Sequence, residues 1–275
     1  AKLSSEAKDF KHATAEEIKA SAGEKINWNE KGAVTPIKNQ GQCGSCWSFS
    51  TTGGVEGQWF LAGNPLTSLS EQELVSCDTN DDGCQGGLMQ NAFKWLLDNK
   101  DGKIVTAESY PYTSGMGQVP ACDLSGKKFG AQINGQLNVK KTEDDMAAWV
   151  YKNGPLSIAV DAQSWQTYTG GVLTNCQSTQ VDHGVLIVGF DDTANPPYWV
   201  VKNSWGPEWG EQGFIRVKKG SNECLITDYP CSAKVGARPP PTPSPPTPPP
   251  TPAPPVPPMS SKWIDLFQPP YTGVP

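Results

Sequence analysis

The sequence predicts an α+β fold in two lobes, with helices in its first half and strands in its second. Two observations carry this. Residues 46–61 (CWSFSTTGGVEGQWFL) hold Trp47, Phe49, Val55, Trp59, Phe60 and Leu61 in one run, which suits a helix buried on most sides. After about residue 130 the apolar period shortens. PLSIAV, HGVLIVGF, PYWVVKNSW and GFIRVKKG are short β-rich runs separated by Gly, Pro, Asn and Asp. Strand and helix patterns do not alternate, which argues against a βαβ arrangement. No repeat of roughly 20–50 residues is visible.

Taken in order, residues 1–21 (AKLSSEAKDFKHATAEEIKAS) are polar, rich in Ala and Lys, and lack Trp and Cys. They suit a short surface helix with little apolar surface for docking. Within 46–61, Gly53 and Gly54 weaken the helix unless close packing requires them. Ser70 followed by Glu73 is a capping-box pattern that opens a helix at SEQELVSC. GGLMQNAFKWLLDNKDG reads as another helix, with Met89, Ala92, Phe93, Leu96 and Leu97 on one side and Asp101–Gly102 beyond its end. Residues 239–258 (PPPTPSPPTPPPTPAPPVPP) suit neither helix nor sheet. They predict an extended polyproline II linker or, alternatively, a ligand for a proline-binding domain. Residues 259–275 are too few to fold alone and read as the start of something further on.

The 275 residues suffice for one large domain or two ordinary ones. A net charge of -6 argues against nucleic acid as a partner. No apolar stretch approaches the roughly 20 residues needed to span a bilayer. The N-terminus lacks a signal-peptide pattern, so in a secreted protein that signal would be removed or lie upstream. Eight cysteines point to an oxidising compartment or to metal ligands.

The stretch GQCGSCWSFS (residues 41–50) sharpens that choice. A redox Cys-x-x-Cys sits in a βαβ unit, and none surrounds Cys43 and Cys46. A zinc site needs a second closely spaced pair, yet Cys77/Cys84 and Cys224/Cys231 are too widely spaced. The third reading, one structural and one reactive cysteine, requires a histidine. The chain has two, His12 in the polar N-terminal stretch and His183 at the mouth of an apolar strand. A lone histidine there is more often a satisfied structural residue. Downstream, however, YWVVKNSWG supplies Asn203 beside Trp205 and Trp209. Cys, His and Asn are what thiol acyl transfer needs: a base to make the thiolate and protonate the leaving amine, and an amide to fix the imidazole tautomer.

NQGQCGSCWSFS, GCQGGLM, VDHGVLIVG and KNSWGPEWGEQGFIRV together resemble the papain family of cysteine peptidases, in particular cathepsin L-like enzymes. The four motifs occur in the right order over about residues 25–235. The Pro-rich segment after them is similar to that of the trypanosomatid branch, whose members carry a C-terminal extension. Some plant relatives also carry such a segment.

The resemblance implies a papain-like two-lobed domain over residues 22–235. Its helical lobe would cover about 30–130, and an antiparallel β-barrel-like lobe about 131–235, with a cleft between them. Residues 1–21 would be a propeptide tail, 239–258 a linker and 259–275 the start of a truncated extension. It makes Cys46 the nucleophile, His183 its base, Asn203 the residue that orients the imidazole, and Gln40 an oxyanion donor. Gly86, Gly87, Leu88, Met89, Ala159, Val181, Asp182, Trp205 and Tyr229 would bind substrate, with Tyr229 at the far end of the P2 pocket. The implied disulfides are Cys43–Cys84, Cys77–Cys122 and Cys176–Cys224. Cys231 has no family partner and is left as a buried free thiol, an alternative partner in the last bridge or an intermolecular link. The implied activity is endopeptidase cleavage with hydrophobic or aromatic P2 and neither metal nor organic cofactor. Protein and peptide substrates, the propeptide and cystatin-like inhibitors are the implied partners of a monomer in a lysosome-like or endosomal compartment, or secreted. The rival is an inactive homologue that binds peptides or inhibitors. Such homologues usually lose Cys, His or the glutamine, and all three are present here.

Overall fold

The computed structural model describes residues 10–236. The expected linker and extension, and the first part of the N-terminal stretch, lie outside these residues. β1 (Phe10–Lys11) and α1 (Ala15–Ser21) are the first elements. Thr14 and Glu17 form a complete capping box on α1. The N-terminal stretch does dock, but by polar contacts. Lys152 pairs with Glu17 at 2.7 Å, and Ala13 N donates to Asp145 Oδ1 at 2.8 Å. Such exposed pairs contribute about 1 kcal/mol or less each, so the register here rests on several weak contacts.

β2 (Lys25–Asn27) leads to α2 (Cys46–Leu61), buried from Trp47 to Gly57. Gly53 and Gly54 in α2 are explained by close approach to strands. A Cβ at Gly53 would lie 3.0 Å from Leu186 Cδ2, and one at Gly54 would lie 2.8 Å from Ser157 Oγ. α3 (Glu71–Cys77) opens on Ser70, whose side chain accepts from Glu73 N at 3.0 Å. Only half of the expected capping box forms, because Glu73 Oε2 instead accepts from Val105 N at 2.7 Å. α4 (Met89–Lys100) buries Met89, Ala92, Phe93 and Leu96 as expected, and Asp101 ends it in the left-handed region at φ 53°.

The second half is not purely strands. β3 (Lys103–Val105), β4 (Phe129–Gln132) and β5 (Gly135–Val139) are followed by a fifth helix, α5 (Glu143–Asn153), which the strand-rich reading missed. Its signals are local: Thr142 caps Asp145 N, three acids fill the first turn, and Gly154 follows the end. β6 (Leu156–Val160), β7 (Val172–Leu173), β8 (His183–Asp191), β9 (Tyr198–Lys202), β10 (Phe214–Lys218) and β11 (Asp228–Lys234) complete the chain. The main sheet runs β1-β5-β11-β6-β8-β9-β10-β7, with β2 on β8. It is mostly antiparallel, but β1/β5 and β10/β7 are parallel. The expected barrel-like lobe is thus an open sheet and not a closed barrel.

Two apolar cores result. One gathers Trp165, Trp199, Phe190 and Ile158 around the sheet and α5. The other gathers Trp47, Phe93, Leu74 and Leu96 among α2, α3 and α4. The second also takes Ile133, Cys231 and Ala233 from beyond residue 130, so the lobes interlock across the expected division.

Cys43–Cys84, Cys77–Cys122 and Cys176–Cys224 are bonded, as the resemblance implied. Cys46 and Cys231 are free thiols. Cys231 is wholly buried in β11, paired with Asn138 and Ser157, and burial pushes its thiol pKa up. It is therefore not available to link folded molecules. Denaturing, non-reducing mass analysis with alkylation should find three bridges and two thiols, whereas native protein should take one label, on Cys46. A second native label on Cys231, or a reducible dimer, would contradict this burial.

Candidate active site

Cys46 is the first residue of α2, and Ser45 before it makes no side-chain cap, so the helix N-terminus faces the thiol uncapped. His183 is the first residue of β8, which lies against α2. Gly184 makes the approach possible, since a Cβ there would sit 3.2 Å from Trp47 Cα. The Cys46 thiol and the His183 ring line the same cavity and each acts on the charge of the other. Burial pulls the thiol pKa up, but the hydrogen bond and charge of His183, with the Gly184 and Trp47 N–H groups, bring it below the ordinary value. Burial also pulls His183 down, yet Cys46, Asn203 and the Asp182 charge leave it raised. Both shifts favour thiolate and imidazolium.

Asn203 follows β9, and its Oδ1 lies 2.7 Å from His183 Nε2. With Nε2–H donating to this oxygen, Nδ1 is left to face Cys46. The Trp205 ring packs on His183 at 4.9 Å, Trp165 meets it edge-on at 6.2 Å, and Trp209 lies 5.1 Å from Trp205. These rings surround the imidazole and strengthen its polar contacts by excluding water.

Gln40 is buried beside the thiol. Its Nε2 donates to Cys43 O at 2.9 Å, and its Oε1 accepts from Ser204 Oγ at 2.7 Å. This fixes which amide atom is nitrogen and leaves a second N–H to donate.

These groups line one cavity of about 480 Å³. Gln40, Cys46, His183 and Trp205 meet Gly86, Gly87, Leu88, Met89, Ala159, Val181 and Asp182 around it. The sequence reading missed Ala162, Gln163 and Gln166, which line it from the short turn after β6. No periodic signal marks that turn. Tyr229 does not line this cavity. It enters β11 at φ 53°, its carbonyl accepts from Gln90 Nε2 at 3.1 Å, and its ring lies 4.8 Å from Lys141 Nζ. Its neighbour Asp228 pairs with Lys141 at 3.0 Å. His12 is exposed in the N-terminal stretch and belongs to no site.

A charged interior beside the site was also missed. Lys38 Nζ reaches Glu56 at 2.9 Å and Glu71 at 2.5 Å, while Lys202 donates to Thr35 Oγ1 at 3.0 Å. Burial lowers the Lys202 pKa to about 8.

A thiolate-imidazolium pair with an oriented imidazole and an adjacent amide is the constellation of a thiol acyl-transfer enzyme. Residues 22–234 match the family described as "Papain family cysteine protease", and the chain belongs to it. It is 57% identical over 211 residues to a cysteine proteinase of Trypanosoma brucei brucei, covering 77% of this chain and 47% of that protein. It is 58% identical to cysteine proteinase 2 of Leishmania pifanoi, covering 76% and 48%. The chain thus spans about half the length of these relatives. The solved structure of digestive procathepsin L2 proteinase from Tenebrio molitor larval midgut aligns with TM-score 0.71 and 35% identity, covering 77% of this chain and 68% of that one.

Iodoacetamide should alkylate Cys46 well below pH 8. In His183→Ala the half-maximal pH should move toward the ordinary thiol range near about 8.5. An unchanged pH profile in the variant would mean that His183 does not set the charge of Cys46.

Proposed function

We propose that the chain is a cysteine endopeptidase, with the catalytic roles expected from the sequence. The observation that carries this reading is Cys46 and His183 together on the wall of an open cleft, with His183 held by Asn203 at 2.7 Å. Cys46 Sγ attacks the peptide carbonyl carbon. The oxyanion takes hydrogen bonds from the Cys46 N–H and the Gln40 amide. His183 gives its proton to the leaving amine, and a thioester remains on Cys46. His183 then accepts a proton from water, which cleaves the thioester and frees the acid. Asn203 keeps the imidazole in register, and Trp205 shields that bond. Gly86 and Gly87 offer backbone to an extended peptide. The inactive-homologue reading has no support in the site, which lacks none of these groups.

The apolar side chains of Leu88, Met89, Ala159 and Val181 support preference for a hydrophobic or aromatic P2 residue. Tyr229 and Asp228 lie off this cavity and engage Lys141, so neither offers charge to a P2 side chain. The acid in the lining, Asp182, already accepts from Ala162 N at 2.8 Å, so a P2 arginine buried against these apolar side chains would lack a free counter-ion, at a cost of several kcal/mol. Residues 1–21 fit the tail of a propeptide preceding a peptidase domain over 22–235, with linker and extension behind it. The propeptide, cystatin-like inhibitors and a monomeric state belong to the same reading. No helix among the described residues is long and apolar enough to cross a membrane. Three disulfides suit a lysosome-like or endosomal compartment, or secretion.

A fluorogenic peptide assay tests the activity. Cys46→Ser should lower kcat by at least about a thousandfold, and equal rates in the variant would end the peptidase reading. For specificity, Phe-Arg should be preferred over Arg-Arg by more than roughly tenfold, about 1.4 kcal/mol. Tyr229→Glu, at a position off the cavity beside Lys141, should leave the Arg-Arg rate unchanged. Equal cleavage of both substrates by the unmodified chain would rule out the apolar P2 pocket.

A further inference from the structure

Gly86, Gly87 and Leu88 line the cleft without belonging to a helix or strand. Their position rests on a pair of buried acids. Asp78, directly after α3, is 7% exposed, and Asp81, in the loop that follows, is 8% exposed. The two carboxyls act on each other, and neither Oδ2 has a hydrogen-bond partner while both acids are ionised. Asp81 Oδ1 accepts from Leu88 N at 2.9 Å and from Asn91 Nδ2 at 3.1 Å. Asp78 Oδ1 accepts from Asn80 N at 2.7 Å. The contact with the cleft is tight: a Cβ on Gly87 would lie 2.8 Å from Asp81 Cγ and 2.6 Å from Trp47 Cδ2. A shift of Asp81 therefore reaches both the cleft wall and the residue next to Cys46.

Two adjacent ionised carboxylates are not tolerated in such a site, whereas one proton between them turns repulsion into a charge-assisted hydrogen bond. We propose that Asp78 and Asp81 share one proton, with Asp78 as donor and Asp81 as ionised acceptor, and that the pair positions Gly87 and Leu88 for peptide binding. The proposal rests on the cleft being a peptide site. Asp81 is the ionised partner because it accepts two N–H groups where Asp78 accepts one. Among the described residues the groups around the pair are neutral: Asn80, Asn91 and the Trp47 ring. The charged residues of the adjoining elements are engaged elsewhere or face solvent. Glu73 accepts from Val105 N, Glu71 pairs with Lys38, Lys94 pairs with Asp98, and Asp82 is exposed. Burial is the largest cause raising both acids, Asp78 to about 8. A raised carboxyl keeps its proton below that value and loses it above, so the pair holds the loop at acid and neutral pH and loosens it in alkali.

The test measures the Kd of a fluorescent Phe-Arg peptide for the whole chain carrying Cys46→Ala, which neither cleaves nor titrates its thiol. With the acid pair intact, Kd should hold steady to about pH 7.5 and rise roughly tenfold by about pH 9, one decade per unit beyond the transition. Asp78→Asn places an N–H donor toward Asp81 at every pH and should flatten the profile. Should Asp78→Asn fail to fold, Asp81→Asn should flatten it likewise. Hydrogen-exchange protection of the Leu88 amide, compared with Asp78→Asn over the same range, reads the pair without any peptide. An alkaline loss that persists in both amide variants overturns the proposal. So does a flat profile with the pair intact, or rescue of alkaline binding by millimolar calcium. Peptide failing to bind at any pH, with Leu88 protection still pH-dependent, would overturn the peptide-site reading and leave the pair standing.

Discussion

Everything at the site depends on one packing event, the seating of α2 on the strands of the main sheet. That contact brings the first residue of a helix to the first residue of a strand, Cys46 to His183. It is made by small residues and hydroxyls. Ser50 Oγ donates to Val185 O at 2.6 Å, and Ser157 Oγ donates to Ser50 O at 2.9 Å. Gly53 and Gly54 bring the helix axis close enough for these bonds to form. Larger side chains on this face would push the helix off the sheet, and the thiol would leave the imidazole with neither Cys46 nor His183 changed.

The charged cluster behind this contact is harder to justify on stability alone. Glu56, Glu71 and Lys202 are buried and Lys38 is largely so, and burying ions costs several kcal/mol each unless they are well paired. Lys38 bridges both glutamates, and Glu56 also receives Thr35 Oγ1 at 2.5 Å and Leu69 N at 2.9 Å. Its polar partners come from α2, the turn before α3 and the strand leading to Asn203. An apolar plug could fill the same space, but it would accept several registers of helix on sheet. Directional bonds accept one.

Much of this was legible from the residues because it is local. The bounds of α2, the apolar side of α4 and four of the strands follow from periodicity, and the cap at Ser70 from a four-residue pattern. Cys46, His183 and Asn203 carried their chemistry in their residue types, so the set could be assembled before any geometry was known. What escaped was set by distant partners. Glu73 abandoned its capping role for Val105 N, a residue of another element. α5 was hidden by the strand-rich character of its surroundings, although its cap and acidic first turn were in view. The position of Tyr229 depends on Lys141 and Gln90, and neither pairing leaves a trace in the chain around Tyr229. The buried lysines and glutamates look, in sequence, like any solvated charges.

The interlocked cores bear on how such a protein survives among copies of itself. Under the proposed peptidase activity, which cuts extended chain, the molecule's own hazard is any partial opening that frees a strand or loop. α2 places Trp47 and Val55 in one core while its other face rests on β6 and β8, and Ile133, Cys231 and Ala233 reach back into the helical core. Neither lobe can loosen without disturbing the other, which disfavours half-open forms. The weak place is the exposed stretch from Met116 to Cys122, with Met116 at 75% exposure. There the Cys77–Cys122 bridge acts as a tether. A nick in that stretch would leave both ends attached to the folded body, the first through the chain and the second through sulfur.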